Sequence, residues 1–168
     1  REKVSAVDVV FGTSALASLP ALLTSAFRGE NDRVAVDTSE EGKGFSTDLP
    51  SNRAQQYHAW VPIMTGCNNF CTYCIVPYVR GRERSRTFEA VIGECERLVA
   101  DGVREITLLG QNVNSYGRDL YGKPRFAELL RAVGQTGVER IRFTSSNPKD
   151  LTDETIAAMK ETPAVMPH

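Results

Sequence analysis

The sequence lacks most features that mark a secreted or membrane protein. It has four cysteines in 168 residues, too few for a secreted disulfide scaffold. No run reaches the roughly 18 apolar residues that a membrane helix needs, and no apolar segment typical of a signal peptide follows the first residues. The formal net charge is -1, so the overall charge does not favour binding to nucleic acid. We therefore expect a cytoplasmic globular protein with no membrane association.

The two ends are unlike those of a complete protein. The chain has no initiator Met and opens almost directly on an apolar strand pattern. It ends on Ala164-Val165-Met166-Pro167-His168, which resembles the beginning of another strand. We expect a fragment of a longer protein.

The first third of the chain changes character near residue 29. The run 7–12 is apolar and ends at a glycine, which predicts a buried strand. Apolar residues at helical spacing follow it: Leu16, Leu19, Leu22, Leu23 and Phe27. Residues 30–56 are polar and show no period, which favours a linker. We interpret residues 1–29 as the C-terminal end of an α/β domain that precedes this linker.

Residues 57–168 alternate between strand and helix patterns. Apolar runs predict strands at 61–64, 105–109 and 140–144. Helical periodicity predicts one helix over 88–100 and a second with Pro124 in its first turn and Gly134 at its end. Thr152 is a typical N-cap for a third helix. Such alternation predicts an α/β fold with parallel strands.

Ligands of parallel sheets bind at the carboxyl ends of the strands. Here these ends lead into the segments 66–87, 110–122 and 145–151, which are long and hold Cys, Asn, Ser and Arg residues. The organisation therefore predicts one functional face.

The first of these segments carries a cysteine cluster. Cys67, Cys71 and Cys74 have the spacing C-x3-C-x2-C, and thiolates are suitable ligands for iron–sulfur clusters or zinc. A closed structural site usually has four protein ligands. Cys95 lies on the apolar stripe of a predicted helix, so we interpret it as structural. His58 would complete a Cys3His zinc site, but it lies nine residues before Cys67.

Three thiolates on a four-iron cluster leave one iron open to a substrate or cofactor. The C-x3-C-x-aromatic-C pattern, placed after the first strand of a βα repeat, resembles the signature of the radical S-adenosylmethionine (SAM) superfamily. The resemblance implies a partial (βα) barrel and a [4Fe–4S] cluster on the three cysteines, with SAM on the fourth iron. Reduction then cleaves SAM to a 5′-deoxyadenosyl radical. Tyr73 would lie near the adenine of SAM.

The wider sequence resembles the methylthiotransferase branch of this superfamily. The matching segments are Trp60–Asn69, Cys74–Pro77 and Arg80–Arg86. Leu108–Gly117 and Arg142–Asp150 resemble the tRNA-modifying group, which adds a methylthio group to C2 of N6-isopentenyladenosine at tRNA position 37. In that mechanism one SAM methylates a sulfur on an auxiliary cluster, and a second SAM supplies the radical that abstracts hydrogen from C2.

The sequence departs from this group in three respects. Asn147 stands where His is expected, and no cysteine precedes Cys67, whereas the family's N-terminal domain supplies three for a second [4Fe–4S] cluster. The family also continues through about six barrel strands and a C-terminal RNA-binding domain. We therefore expect half a SAM pocket, no complete turnover, and dimerisation or aggregation through an unpaired edge strand.

The remaining candidates are polar residues in the three segments. Arg80, Arg82, Arg84 and Arg86 would share one face of an extended segment and contact RNA phosphates, or else form internal salt bridges. Gly110, Gln111, Asn112, Asn114 and Ser145 are candidates for binding SAM or the target base, with Ser146 weaker. The alternative is a turn that the Asn side chains stabilise. Tyr116 would either stack on a base or be buried.

The resemblance implies the tRNA anticodon loop as a partner and a flavodoxin or ferredoxin as electron donor. Sister enzymes, which modify threonylcarbamoyladenosine in tRNA or an aspartate of a ribosomal protein, are the nearest alternative. The segment 111–114 argues against them, because those branches carry other residues there. An alternative of another class is a non-catalytic zinc or electron-transfer module.

Overall fold

The structure is a computed structural model that describes residues 6–30, 34–35, 53 and 55–167. The chain divides into two units, Arg1–Ser51 and Asn52–His168. The division falls inside the segment 30–56 that we predicted as a linker. No described helix has the length and apolar character needed to cross a membrane.

The first unit contains two short parallel strands and one helix. Strand β1 (Val10–Phe11) pairs with β2 (Val34–Ala35), and a 3-10 turn at Thr13–Ser18 leads into helix α1 (Leu19–Phe27). The second strand lies in the predicted linker, where two residues are too short to show a period. Most of the apolar residues at helical spacing stay partly or largely exposed, and Leu22 is the buried one.

The second unit is built on a parallel three-stranded sheet. Its strands are β3 (His58–Pro62), β6 (Glu105–Leu109) and β7 (Arg140–Phe143), in the order β3-β6-β7. Register aligns His58, Glu105 and Arg140 across the sheet. Helix α3 (Phe88–Ala100) lies between the first two strands in sequence, and α5 (Phe126–Gln135) between the last two. The chain ends with α6 (Asp153–Glu161).

Short elements occupy the long segments that follow the strands. Strand β4 (Met64–Thr65) pairs antiparallel with β5 (Arg84–Ser85), and this pair closes the base of the cysteine segment. Helix α2 (Val76–Val79) lies inside that segment, and α4 (Arg118–Tyr121) lies after β6. Two 3-10 turns, Val113–Ser115 and Pro148–Asp150, follow β6 and β7.

Alternating strand residues separate a buried face from a polar face of the sheet. The apolar face packs against helices α3 and α5, and the core includes Ala59, Val61, Ile106, Leu108, Ile141, Phe143, Val91, Cys95, Leu129, Leu130 and Val133. On the other face Glu105 forms ion pairs with Arg140 and Arg142. Because strand side chains alternate with period two, every residue of this charged group lies on one side of the sheet.

The predicted βα order is confirmed, with local shifts. Helix α3 and strand β6 have their predicted bounds, and the Thr152 side chain accepts a hydrogen bond from the Thr155 amide as an N-cap. Gly134 lies inside α5, which ends at Gln135, and so does not end the helix as predicted. A glycine is needed at this position because a Cβ would collide with Cγ2 of Thr162. Pro124 precedes α5, which begins at Phe126.

The chain begins a fourth parallel strand beside β7. The amide of Ile141 donates to the carbonyl of Ala164, and the amide of Met166 donates to the carbonyl of Ile141. We predicted an unpaired edge strand without assigning it, and this bridge covers part of the edge of β7. Within the described residues β3 is the other edge of the sheet.

Candidate metal centre and cofactor site

The cysteine segment leaves the carboxyl end of β3 and returns through β5. All three of its thiols are free, with Cys67 buried and Cys71 and Cys74 half-buried. Burial raises the pKa of the Cys67 thiol, and a backbone hydrogen bond from Asn69 partly offsets this rise. A metal would have to displace the proton of this thiol, since thiolate is the ligating form.

The two ends of the cysteine segment, residues 66–68 and 81–83, lie in close backbone contact, which we call the tight neck. Gly66 has φ of 76°, and a Cβ on it would collide with the backbone carbonyl oxygen of Arg82. The Cys67 amide donates to the Gly81 carbonyl at 3.2 Å. Asn68 and Glu83 exchange two hydrogen bonds: the Asn68 amide donates to Oε1 of Glu83 at 3.3 Å, and the Glu83 amide donates to Oδ1 of Asn68 at 3.2 Å. The neck therefore fixes the backbone directly before and after the first thiol.

Thiol groups are the ligands that proteins offer to iron–sulfur clusters. Among the described residues no three His, Cys, Asp or Glu side chains converge closely enough to hold one metal ion. Ligands of a four-iron cluster bind to different irons, so their sulfur atoms stand further apart than the ligands of zinc. Three free thiols on one segment fit such a cluster.

Cys95 and His58 do not lie in the cysteine segment. Cys95 is fully buried in the core on α3, and burial raises its pKa to about 12. His58 begins β3, while the cysteine segment leaves its far end, which is about 13 Å away in an extended strand of this length. The Nε2 atom of His58 instead lies 3.1 Å from Oγ1 of Thr107. His58 is therefore not placed beside the three thiols in this structure.

The amides after β6 hold the loops together. The Nδ2 atom of Asn112 donates to Oδ2 of Asp150 at 2.7 Å. The Nδ2 atom of Asn114 donates to Oγ of Ser146 and to the carbonyl of Asn147, both at 2.9 Å. Both side chains are buried, so their NH2 groups stabilise the loop after β7 and are not available to SAM.

The oxygen atoms of these amides have no partner within the described structure. Oδ1 of Asn112, Oδ1 of Asn114 and Oε1 of Gln111 are all buried without a hydrogen bond, and so is Nδ2 of Asn69. Buried polar atoms are normally hydrogen-bonded. Three acceptors and one donor at the carboxyl ends of β3 and β6 therefore fit a polar ligand such as SAM.

Asp150 is a site residue that the sequence analysis did not identify. Its carboxylate accepts from Asn112 and, at 3.2 Å, from Nη2 of Arg118. Burial acts to raise the pKa of Asp150, but these two hydrogen bonds outweigh it and hold the pKa below its ordinary value. The only signal in the sequence was a charged residue in a predicted ligand loop.

The other predicted cofactor residues lie at the same end of the sheet. Gly110 directly follows β6, and a Cβ on it would lie 2.6 Å from Cγ of Met64. Ser145 has φ of 62° and its carbonyl accepts from the Val113 amide at 3.3 Å. The Tyr73 side chain is 91% exposed. Their roles toward SAM stay predictions.

The four alternating arginines do not share one exposed face. Arg86 is buried, and its Nη1 forms an ion pair with Oε2 of Glu94 at 2.6 Å. Arg84 lies half-buried in β5, while Arg80 and Arg82 are exposed. The expectation that all four contact RNA is wrong for Arg86, since only two residues of the segment are extended and the core takes up its guanidinium.

Comparison with known proteins identifies the family. The sequence matches the model of the radical SAM superfamily over residues 61–168, and the chain belongs to this family. The cofactors of the family are a [4Fe–4S] cluster and SAM, and three free thiols on one segment suit such a cluster.

The chain is also similar to larger bacterial proteins. It is 53% identical over 163 residues to the tRNA-2-methylthio-N(6)-dimethylallyladenosine synthase of Streptomyces avermitilis. This alignment covers 96% of the chain and 32% of that protein. It is 51% identical to the synthase of the same name from Carboxydothermus hydrogenoformans, over 99% of the chain and 38% of that protein. The chain thus spans about a third of the length of these relatives.

One solved structure resembles the fold. It is the radical SAM methyltransferase TsrM from Kitasatospora setae, determined with its tryptophan substrate and the SAM analogue aza-SAM. The TM-score is 0.51 at 14% identity, over 92% of this chain and 44% of that one. This similarity supports the α/β fold of the radical SAM type.

Proposed function

We propose that this chain belongs to a tRNA methylthiotransferase and forms the first part of its radical SAM domain. The complete protein would add a methylthio group to C2 of N6-isopentenyladenosine at tRNA position 37, in the cytoplasm. The observation that carries this proposal is the cysteine segment. It has three free thiols and no fourth ligand, and it lies in a chain about 50% identical to synthases named for this product.

Three side chains would hold the cluster, and the neighbouring loops would hold SAM. Cys67, Cys71 and Cys74 are the cluster ligands. The [4Fe–4S] cluster, when bound, supplies the electron that splits SAM into methionine and a 5′-deoxyadenosyl radical. A second [4Fe–4S] cluster is expected only in the full-length protein, because this chain has no cysteine to hold it.

The unpaired amide oxygens would orient SAM. Oδ1 of Asn112, Oδ1 of Asn114 and Oε1 of Gln111 accept hydrogen bonds, so they suit the ammonium and hydroxyl donors of the cofactor. The NH2 group of Asn112 donates to Asp150, and that of Asn114 donates to the Ser146 hydroxyl and the Asn147 carbonyl, which fixes the direction of both amide oxygens. Tyr73 is exposed beside two of the thiols and is available to pack on the adenine.

The exposed surface around α2 suits an RNA loop. The segment 66–82 contains no acidic residue, and Arg80 and Arg82 are both exposed. Tyr78 is 72% exposed, and its ring meets Phe70 edge to face, with ring centres 5.9 Å apart. Aromatic rings that stack on bases, next to cations for phosphates, are typical of single-stranded RNA recognition. We infer that the anticodon loop contacts this surface.

The experiment is a genetic one with a chemical readout. The gene that encodes this chain is deleted, and bulk tRNA from the deletion strain is digested to nucleosides. Loss of the methylthio form of N6-isopentenyladenosine, with accumulation of the unmodified form, is expected. Loss of the methylthio group from threonylcarbamoyladenosine, or from an aspartate of a ribosomal protein, would instead assign the activity of a sister enzyme.

Reconstitution of the purified protein tests the cofactor assignment separately. We expect visible absorption from an iron–sulfur cluster and a change in its electron paramagnetic resonance (EPR) spectrum when SAM is added to the reduced protein. Cys67→Ala should lose the cluster and Cys95→Ala should keep it, since only the first is a proposed ligand. Zinc without visible absorption would contradict the proposal. A flavodoxin or ferredoxin is the expected reductant.

A further inference from the structure

The return of the cysteine segment is hydrogen-bonded to the loop after β6. Four contacts form this connection, which we call the clasp: Tyr116 Oη to the Arg86 carbonyl at 2.9 Å, the Gly117 amide to Oγ of Ser85 at 2.8 Å, the Ser85 amide to Oδ2 of Asp119 at 2.8 Å, and the Phe88 amide to Oη of Tyr121 at 3.0 Å. The segment that carries the thiols and the loop that carries the amide oxygens therefore move together.

Arg86 anchors the clasp to the beginning of the cysteine segment. Its Nη1 donates to the carbonyl of Pro62, the last residue of β3, at 2.9 Å, and pairs with Glu94 at 2.6 Å. Its amide donates to the carbonyl of Ile63 at 2.8 Å. One side chain thus ties both ends of the segment to each other and to α3.

Tyr116 anchors the clasp on the other side. Its side chain is fully buried, and burial raises its pKa well above the ordinary tyrosine value, so the hydroxyl stays a donor. The Arg125 amide donates to the Tyr116 carbonyl at 2.7 Å, and the Tyr116 amide donates to the Val113 carbonyl at 3.1 Å. The tyrosine is therefore fixed to the 3-10 turn that contains Asn114.

Charge and burial make these contacts a rigid link. The Arg86 side chain is 7% exposed and that of Glu94 28%, so removing Glu94 would leave a largely buried charge with only its hydrogen bonds to the Pro62 and Ala90 carbonyls. A buried donor such as the Tyr116 hydroxyl has no water to replace its acceptor. Arg86 and Tyr116 therefore link the segment that carries the three thiols to the loop that carries the three amide oxygens.

We propose that Tyr116 and Arg86 are positioning residues for SAM, because they hold the cluster ligands and the SAM-facing amides in one fixed arrangement. This inference rests on the proposed radical SAM function. In this role the two side chains act through the loops that they connect and not by contact with the cofactor. Their removal should therefore weaken SAM binding to a cluster that is still correctly assembled.

The test uses the full-length protein, anaerobically reconstituted with its cluster. Tyr116→Phe removes one hydroxyl and keeps the ring. We expect an unchanged iron content and a higher dissociation constant for SAM, by up to about fivefold, which corresponds to the whole of one net hydrogen bond. Titration of the EPR change of the reduced cluster with SAM measures this constant. Tyr57→Phe is the matched control, since Tyr57 is exposed and directly precedes the first residue of β3, at the end of the strand away from the cysteine segment.

If the Tyr116→Phe variant does not fold, a second variant tests the clasp. Ser85→Ala removes the acceptor of the Gly117 amide at a half-buried position and should raise the SAM dissociation constant in the same direction. Variants that bind iron normally and bind SAM as tightly as the unmodified protein would overturn the proposal. So would variants that lose iron and stability while the loaded fraction keeps its SAM affinity. If the unmodified protein shows no response to SAM, the proposed function itself fails.

Discussion

Asn112 and Asp150 form a buried hydrogen bond of 2.7 Å between the loops that follow β6 and β7. Arg118 reaches the other carboxylate oxygen at 3.2 Å. The carboxylate thus accepts from one neutral amide and one cation, which keeps it ionised despite its burial. The same contact leaves Oδ1 of Asn112 pointing away from Asp150 and without a partner.

Asn112→Asp should destabilise the chain by about 2–4 kcal/mol at neutral pH. The new carboxylate would replace an amide donor 2.7 Å from Oδ2 of Asp150 and would bring two buried negative charges together. Urea unfolding at pH 7 measures the loss. Because protonation of one carboxyl relieves the repulsion, the loss should shrink as the pH falls toward 4.

Gln55→Glu is the control for the added charge, because Gln55 is exposed. We expect it to change the free energy of unfolding by less than about 0.5 kcal/mol. An Asn112→Asp variant as stable as this control would show that Asp150 does not accept from residue 112 in solution.

Gly66→Ala should abolish cluster assembly, whereas Gly102→Ala should not. Both glycines have positive φ, 76° and 90°, so each substitution carries the backbone strain of about 1–2 kcal/mol. The added Cβ meets the Arg82 carbonyl at residue 66 and open space at residue 102. Iron content after reconstitution and thermal unfolding of both variants separate the steric effect from the strain. Equal loss in both variants would contradict the tight neck.

The sequence predicts the elements whose pattern is local and complete. Helix α3 has an apolar stripe and is followed by a glycine at residue 102, so its bounds of 88–100 are correctly predicted. Strand β6 is a continuous apolar run, as expected of a central parallel strand. The cysteine spacing likewise predicts the metal ligands without reference to the fold, and their role stays a prediction.

Long-range contacts explain what the sequence does not predict. Asp150 meets Asn112 across 38 positions of the chain, and no local pattern indicates this pairing. Arg86 continues an alternating arginine series, but its side chain is buried and forms an ion pair with Glu94 on the next helix. Gly134 has the sequence pattern of a helix end but lies within α5. Its lack of a side chain makes room for Thr162, a contact that the local sequence does not indicate.

Gly93→Ala and Gly134→Ala should change stability in opposite directions. Both glycines lie inside helices, where alanine is favoured by about 0.5–1 kcal/mol. A Cβ on Gly93 meets only Nη1 of Arg97 at 3.6 Å, so the chain should gain that amount. On Gly134 it meets the buried Thr162, and overpacking should produce a net loss of about 1–2 kcal/mol. Urea unfolding measures both, and a stabilised Gly134→Ala would refute the close packing of α5 on residue 162.

Glu105 should make the polar face of the sheet sensitive to acid. Its carboxylate accepts from Nε of Arg140 at 2.9 Å and from Nε of Arg142 at 3.3 Å, and these contacts lower its pKa. A carboxyl whose pKa is lower in the folded chain stabilises it above the unfolded pKa of about 4.3, and this contribution disappears as the pH falls through the folded value.

Glu105→Gln should therefore cost about 1 kcal/mol at pH 7, a modest figure because the group is partly solvated. The cost should vanish in acid, where the unmodified side chain is also neutral. Unfolding in urea at pH 7 and at about pH 3 gives the two differences. Glu96→Gln, at an exposed position on α3, controls for the loss of one negative charge and should show a small difference at both values. A Glu105→Gln cost that persists unchanged in acid would mean that the ion pairs do not stabilise this face, and that the residue acts through packing alone.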